Sequence, residues 1–256
     1  MNGLTRAGRF FFAIAMVAFG VHYLYYAGGG RGAIPGPPWI PGAPALAWLA
    51  GIGFVVVGVC IAIGKMARVA AILLGVAFLL RVLVLHLPGL LAHLHDPGQW
   101  TPLFEVLAIG SGAWILARTL PVDRLRSPDW DRALEAAFQI GRLLFALSLV
   151  VFGVQHFMYA AFIATLIPAW IPAHLFWAYF IGVAFLGAAL SIGTGIAAGL
   201  VEILLGIMFF LWVVLLHAPR VTHTPHHGNE WTSLFIALAM SGVCFALAGQ
   251  ADLRDE

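Results

Sequence analysis

The chain has 256 residues, of which 62% are hydrophobic and 9% are charged, and its mean hydropathy is +0.98. Soluble domains carry about 25% charged residues, so this composition excludes an ordinary soluble domain. The net charge of +2 comes without a basic stripe and gives no indication of nucleic-acid binding.

Eight apolar segments follow one another along the chain, and each is close to the roughly 20 residues that a helix needs to cross a bilayer. We predict spans at about 9–27, 45–64, 67–87, 101–118, 138–158, 174–193, 196–216 and 231–248. The first segment follows Arg6 and Arg9, as a signal peptide would, but bulky tyrosines occupy the place of small cleavage-site residues. We expect it to be retained, which gives an all-α polytopic membrane protein.

The second half of the chain repeats the first at an offset of 131 residues (216 − 85 = 131). Residues 85–104 and 216–235 share a histidine, a proline and a Trp-Thr pair at matching positions. Four spans in each copy give both copies the same orientation, so the pattern predicts two parallel four-helix repeats. The predicted divisions are a first repeat at 1–118, a cytoplasmic linker with an interfacial helix at 119–135, a second repeat at 136–250 and a polar tail at 251–256.

Helix starts can also be predicted. Ser127 before Pro128 is typical of a helix N-terminus and favours a short helix in the linker. Trp100–Thr101 and Trp231–Thr232 resemble the entry of the fourth helix of each repeat, with tryptophan at the interface and threonine as N-cap.

The first outer loop of each repeat is rich in proline, at 34–44 and 167–173. Successive prolines stiffen a segment and remove backbone donors. Two interpretations stay open for these loops: a rigid lid across the outer mouth of each unit, or an interfacial anchor through Trp39 and Trp170.

The positive charges predict the orientation of the chain. Of the 13 Lys and Arg residues, all but Arg31, Arg81 and Arg220 fall on one side of the predicted membrane. By the positive-inside rule, both termini are expected in the cytoplasm and the histidine-rich loops outside.

Three motifs of the second repeat resemble the DoxX-like family of bacterial membrane proteins. They are F-G-V-Q-H-F at 152–157, L-I-P-A-W-I-P at 166–172 and W-A-Y-F-I-G-V-A at 177–184. The resemblance implies a four-helix unit, here duplicated, in a bacterial cytoplasmic membrane. It also implies an association with quinone-linked or thiol-linked oxidoreductases. The chain has Phe54 and Phe185 where relatives often carry an acidic residue.

Histidines near the outer ends of the helices are the main candidates for a cofactor site. His22 and His156 lie near the end of each first helix, and His86 and His217 end each third helix. One interpretation makes them interfacial residues with one nitrogen facing water. Another is a b-type haem or a quinone headgroup held between the helices.

A second group of histidines lies in the outer loops and suggests a transition metal such as Cu or Zn. His223, His226 and His227 form a short tract, and His95 is the counterpart of His226 in the first repeat. Imidazole suits these metals, and short histidine tracts bind metal.

Arg81 and Glu105 are charged residues inside predicted spans of the first repeat, and such residues suggest function. In the second repeat Trp212 and Ile236 replace them together. Joint loss is what an ion pair predicts, because losing one partner would leave a buried charge uncompensated. We therefore expect Arg81 and Glu105 to pair beneath His86, where the pair is either structural or anchors a polar ligand as part of the cofactor site.

The leading hypothesis is a membrane subunit of an electron-transfer or quinone-linked oxidoreductase system, with an outward-facing histidine site for quinol, haem or metal. One alternative is a non-catalytic module that recruits a protein partner through its outer loops. The third is a metal or small-solute transporter. Each of them has the lipid bilayer as a partner.

Overall fold

The computed structural model describes residues 3–29, 43–121 and 127–251, and most of these residues are helical. The helices are α1 Gly3–Ala27, α2 Ala43–Ile63, α3 Ala67–Arg81, α4 Leu87–Ala92, α5 Pro97–Thr119, α6 Pro128–Met158, α7 Ala160–Leu166, α8 His174–Thr194, α9 Ala198–Trp212, α10 Ala218–His223 and α11 Gly228–Ala251. The expectations for Trp39 and most of the first proline-rich loop, for linker residues 122–126 and for tail residues 252–256 lie outside the described residues.

Within these ranges, eight helical segments are long and apolar enough to cross a membrane. They are Gly3–Ala27, Ala45–Ile63, Ala67–Ala92, Pro97–Thr119, Pro128–Met158, His174–Thr194, Ala198–His223 and Gly228–Gln250. The prediction of an all-α membrane protein with eight spans is confirmed.

The outer surface of the helices carries large apolar side chains. Leu49, Leu73 and Leu200 are each more than 60% exposed on the surface of the isolated chain. An aqueous surface does not tolerate contiguous apolar area of this extent, whereas lipid covers it without cost. These side chains therefore contact the hydrocarbon of the bilayer.

The eight spans form a closed ring rather than two separate bundles. The order around the ring is α2, α1, α11, α9, α8, α6, α5 and α3, and α5 also contacts α11 across the middle. The first helix of each half thus packs on the last helix of the other half. The two parallel four-helix repeats remain a prediction, and in this structure each half is an arc that the other half closes.

Helices α5 and α11 form the centre of the molecule. Of the residues in the most apolar stretch of each span, 72% are buried in α5 and 67% in α11, but only 22% in α2. Small residues allow this close packing: a Cβ on Gly242 of α11 would lie 2.7 Å from the carbonyl oxygen of Gly8 in α1. Glycine at helix contacts in lipid lets backbones approach this closely.

A π-helical turn interrupts the third span of each half, at Val82–His86 and at Val213–His217. A proline follows each turn, Pro88 in the first half and Pro219 in the second. Proline lacks an N–H and its ring clashes with the carbonyl four residues earlier, so a regular α-helix cannot continue unchanged there. The wider turn resolves that conflict and ends on a histidine in both halves. Turns of this kind often occur at functional sites.

The helix starts agree only in part with prediction. Ser127 accepts a hydrogen bond from the amide of Trp130 at 3.2 Å, so the prediction of a helix start there is confirmed. That helix is the beginning of α6 and runs without a break into the membrane span, which corrects the expectation of a separate linker helix.

The expectation that threonine caps the fourth helix of each half is wrong. Asp96 is the N-cap of α5, and its carboxylate accepts from the amide of Gly98 at 2.8 Å. Thr101 and Thr232 lie one turn inside their helices. The helices begin earlier because Asp96 followed by Pro97 in the first half is itself a strong start signal.

Candidate intramembrane site

A cavity of about 440 Å³ lies near the histidine-bearing ends of the helices of the second half. This volume is within the range of small-molecule sites, roughly 300–1,000 Å³. Its wall is mostly apolar, and its polar side chains are Thr101, Glu105, Gln155, His156, Tyr159, His217 and Ser233. A mostly apolar chamber with a few converging polar groups is typical of a ligand site in a membrane protein.

His156 is fixed in one orientation by its own helix and by aromatic neighbours. Its Nδ1 lies 2.8 Å from the carbonyl oxygen of Phe152, one turn earlier in α6. A carbonyl can only accept, so Nδ1 carries the proton and Nε2 is left as an acceptor. The ring stacks on Trp212 with centroids 6.3 Å apart and meets the edge of Phe185 at 5.2 Å. Imidazole Nε2 is therefore positioned to accept a hydrogen bond from a ligand.

His217 is the last residue of the second π-helical turn and lines the same cavity. Among the described residues, its Nδ1 is buried without a hydrogen-bond partner. A buried polar atom without a partner costs about 1–3 kcal/mol. This cost is offset once a ligand or an ordered water molecule supplies the missing hydrogen bond.

Helix α5 of the first half contributes the remaining polar wall. Gln155 donates through Nε2 to Thr101 Oγ1 at 3.0 Å, which joins α6 to α5 across the cavity rim. Glu105 lies one turn below Thr101 on α5 and faces the same space. The site therefore needs both halves of the chain.

A second cavity of about 510 Å³ adjoins the first and is lined mainly by apolar side chains of α7, α8, α9 and the second π-helical turn, with Arg220 of α10 also among its lining residues. The side chains that line both cavities form the boundary between them, namely His156, Ile163, Leu166, Trp212 and His217. Phe180 and Leu204 line the second cavity and are exposed on the lipid-facing surface. The second cavity is thus a groove that is open to the bilayer and leads to the first cavity.

The first half arranges its corresponding residues differently. In the first helix the offset is 133 residues (152 − 19), so His156 corresponds to Tyr23 and Gln155 to His22. His22 is buried and packs edge-on against Tyr26 at 4.6 Å and Phe235 at 5.9 Å. The four predicted histidines therefore do not form two equivalent sites, because only His156 and His217 line the common cavity.

The expected pairing of Arg81 with Glu105 is wrong. Arg81 donates to the hydroxyl of Tyr23 at 2.8 Å and to Nε2 of His86 at 3.4 Å. Glu105 faces the cavity of the second half instead. The two residues occupy different sides of the first half, since α3 directs Arg81 toward α1 while α5 presents Glu105 to α6 and α11.

The loop histidines do not assemble a metal site in this structure. His95, His223, His226 and His227 are all exposed. Within the described ranges, no three His, Cys, Asp or Glu side chains lie close enough together to hold a metal ion. The short turns that carry these histidines keep them on the surface and do not bring them together.

Sequence reasoning missed several members of the site: Gln155, Tyr159, Trp212, Ser233 and the short helix α7. Gln155 could have been found, since it is a polar residue within an apolar helix. The sequence identifies Trp212 as the residue that replaces Arg81 but gives no sign that it lines a cavity. Helix α7 could not have been separated from the end of the preceding span by composition alone.

The fold is that of a polytopic all-α membrane protein, and it encloses a cavity that carries seven polar side chains. Comparison with family models, with curated proteins and with solved structures finds no match.

Proposed function

We propose that the protein binds a membrane quinone or quinol in the chamber of the second half, as the integral membrane subunit of a quinone-linked oxidoreductase system. The observation that carries this proposal is that a cavity with seven polar side chains, called the chamber below, adjoins a more apolar groove open to lipid. A quinone has the same division, with a polar ring and a long apolar tail. The DoxX-like motifs, which are clearest in the second half, support the same class of system.

The polar groups suit the two carbonyl oxygens of a quinone and the two hydroxyls of a quinol. His156 Nε2 accepts from a quinol hydroxyl, given the proton on Nδ1. His217, whose ring nitrogen lacks a partner, can donate to a carbonyl in one tautomer and accept from a hydroxyl in the other. Glu105 adds a carboxyl group that can exchange a proton with either.

The apolar groove supports a ligand that arrives from the bilayer. Its exposed wall between α8 and α9 allows a tail to stay in contact with lipid while the ring reaches the chamber. The tail then passes from lipid to an apolar wall without exposure to water, since lipid tails and apolar side chains are equally good surroundings for it. A water-soluble substrate gains nothing from such a groove.

In the proposed arrangement both termini are cytoplasmic and the chamber lies toward the outer face of a bacterial cytoplasmic membrane. Electrons would reach the bound quinone from a partner protein on that face.

Binding of a short-chain quinone to purified protein tests the proposal. We expect wild-type protein in detergent to bind ubiquinone-1 or menadione saturably by calorimetry. His217→Leu and Glu105→Gln are each expected to weaken binding about tenfold, the loss of one good hydrogen bond to a charged or buried group.

His226→Leu and Glu230→Gln are matched controls, since they remove the same side chains from the outer loop and the start of α11. Equal binding by wild type and His217→Leu would contradict the proposal. A Soret band that depends on His156 and His217 would show that the ligand is b-type haem and not a quinone.

A further inference from the structure

A second, separate polar site lies in the first half of the molecule, around Arg81. The residue is in the third span, five positions before His86, which is ~8 Å along a helix axis. It is only partly buried. A charged residue at this depth is costly and suggests function by default.

No carboxylate neutralises Arg81 in the described part of the chain. Its two hydrogen bonds there go to the Tyr23 hydroxyl and to His86 Nε2. Seven of the 11 acidic residues of the sequence are described, and none of these seven forms an ion pair with Arg81. Tyr23 and a neutral His86 accept hydrogen bonds but bring no negative charge.

The direction of the side chain is informative. Side chains of a helix normally lean toward its N-terminus. Arg81 does the opposite, because its Nε reaches His86 on the following turn. The guanidinium is thereby carried toward the membrane surface at the histidine-bearing end of the bundle, as long basic side chains do when they reach for the interface.

The guanidinium keeps donors for a ligand. Arginine has five N–H donors, and two are used here. The Nη2 atom makes neither of these bonds and is not among the buried polar atoms without a partner within the described ranges, so this nitrogen is accessible from outside. A planar guanidinium with free donors is well suited to bind phosphate in a bidentate manner.

We propose that Arg81, oriented by Tyr23 and His86, binds the phosphate of an anionic phospholipid in the leaflet at the histidine-bearing end of the bundle. Leu80 and Leu83 flank Arg81 and are exposed on the lipid-facing surface, where acyl chains contact the protein. The second half has no equivalent site, since Trp212 occupies the corresponding position and stacks on His156.

Native mass spectrometry of protein exchanged into phosphatidylglycerol tests this site. Wild type is expected to retain one phosphatidylglycerol more firmly than the others and more firmly than phosphatidylcholine. Arg81→Gln should lower its retention about tenfold, the loss of a charge-assisted contact. Arg132→Gln is the matched control, because it removes the same charge at the opposite end of the bundle.

Arg81→Trp is a second variant, since it introduces the residue that the second half already accommodates at this position. It should fold and should also lose the lipid, and Tyr23→Phe should weaken retention without removing the charge. Unchanged retention in Arg81→Gln or Arg81→Trp would overturn the proposal. Stabilisation of wild type by free inorganic phosphate, equal to that by the lipid, would assign the site to a soluble anion instead. Ubiquinone-1 binding should be unaffected in all of these variants.

Discussion

At the scale of the residue, His217 combines an unfavourable buried atom with a central place in the chamber. Its Nδ1 has no partner among the described residues, whereas His156 in the same wall bonds to its own backbone. A buried polar atom that destabilises the free protein is expected at a binding site, where a ligand supplies the missing hydrogen bond. The two histidines should therefore respond differently to replacement.

We predict that His217→Leu stabilises the ligand-free protein while it weakens quinone binding. Removing the unpartnered nitrogen recovers about 1 kcal/mol, which corresponds to a rise of about 2–4 °C in the apparent Tm. Thermal unfolding followed by fluorescence in detergent measures this change. His156→Leu serves as the comparison and should lower the Tm, since it removes a formed hydrogen bond; a lower Tm for His217→Leu would contradict the argument.

The Thr101–Gln155 bond is a second residue-scale test of the chamber rim. Thr101→Val leaves the Gln155 amide without its side-chain partner, and we expect a loss of about 1 kcal/mol in stability. The threonine at the corresponding position of the second half, Thr232, bonds only to its own helix. Thr232→Val should therefore cost less, and the difference in Tm between the two variants measures the interhelical bond.

Single residues also mark the limit of prediction from sequence. The charges of Arg81 and Glu105 could be recognised as unusual from their position in apolar spans. Their partners could not be recognised, because the joint replacement in the second half suggested a direct pair. Which face of α5 meets which helix depends on packing between the halves, and no local pattern encodes it.

At the scale of the element, the two π-helical turns direct their histidines. The turn at Val213–His217 inserts an extra residue relative to an α-helix, which rotates the segment after it by about 100°. The orientation of His217 toward the chamber therefore depends on the turn. Pro219 is the physical cause that we assign to it.

We predict that Pro219→Ala weakens quinone binding several-fold, because the third span can then return toward a regular α-helix and move His217. The fold itself should persist, which circular dichroism checks. Pro88→Ala makes the same change in the first half and should leave quinone binding intact. Loss of binding in both variants would show that the turn acts on the whole fold and not on His217.

Contact between α1 and α11 joins the two halves and depends on glycine. A Cβ on Gly242 would lie 2.7 Å from backbone atoms of α1, which cannot be relieved by rotating a side chain. Gly242→Ala is expected to cost about 1–3 kcal/mol as overpacking. Gly53→Ala in α2 meets nothing within 4 Å and should leave the Tm unchanged or raise it.

At the scale of the whole molecule, the membrane spans were predictable and their arrangement was not. Span number follows from hydrophobic length, which the bilayer imposes on every helix. The closed ring of both halves follows from long-range helix contacts such as that between Gly8 and Gly242. The repeat in the sequence suggested two bundles. It carries no information about which helices of one half pack against helices of the other half, so the ring could not be predicted from it.

The orientation of the molecule is a separate prediction from its basic residues. In a variant with Cys60→Ala and Cys244→Ala, a cysteine at Thr224 should react with an impermeant maleimide added to intact cells. A cysteine at Ala136, exposed at the start of α6, should react only after the membrane is permeabilised. The reverse pattern would contradict the positive-inside assignment.

The central claim is that the chamber built by α5, α6, α9 and α11 holds a quinone ring. Photolabelling with an azido-quinone in native membranes, followed by peptide mapping, tests it most directly. We predict label on the peptides that carry Glu105 and His217, in two different halves of the chain, and its loss when excess ubiquinone is added. Label confined to the lipid-facing surfaces of α2 and α3, or label that excess ubiquinone does not reduce, would contradict the account.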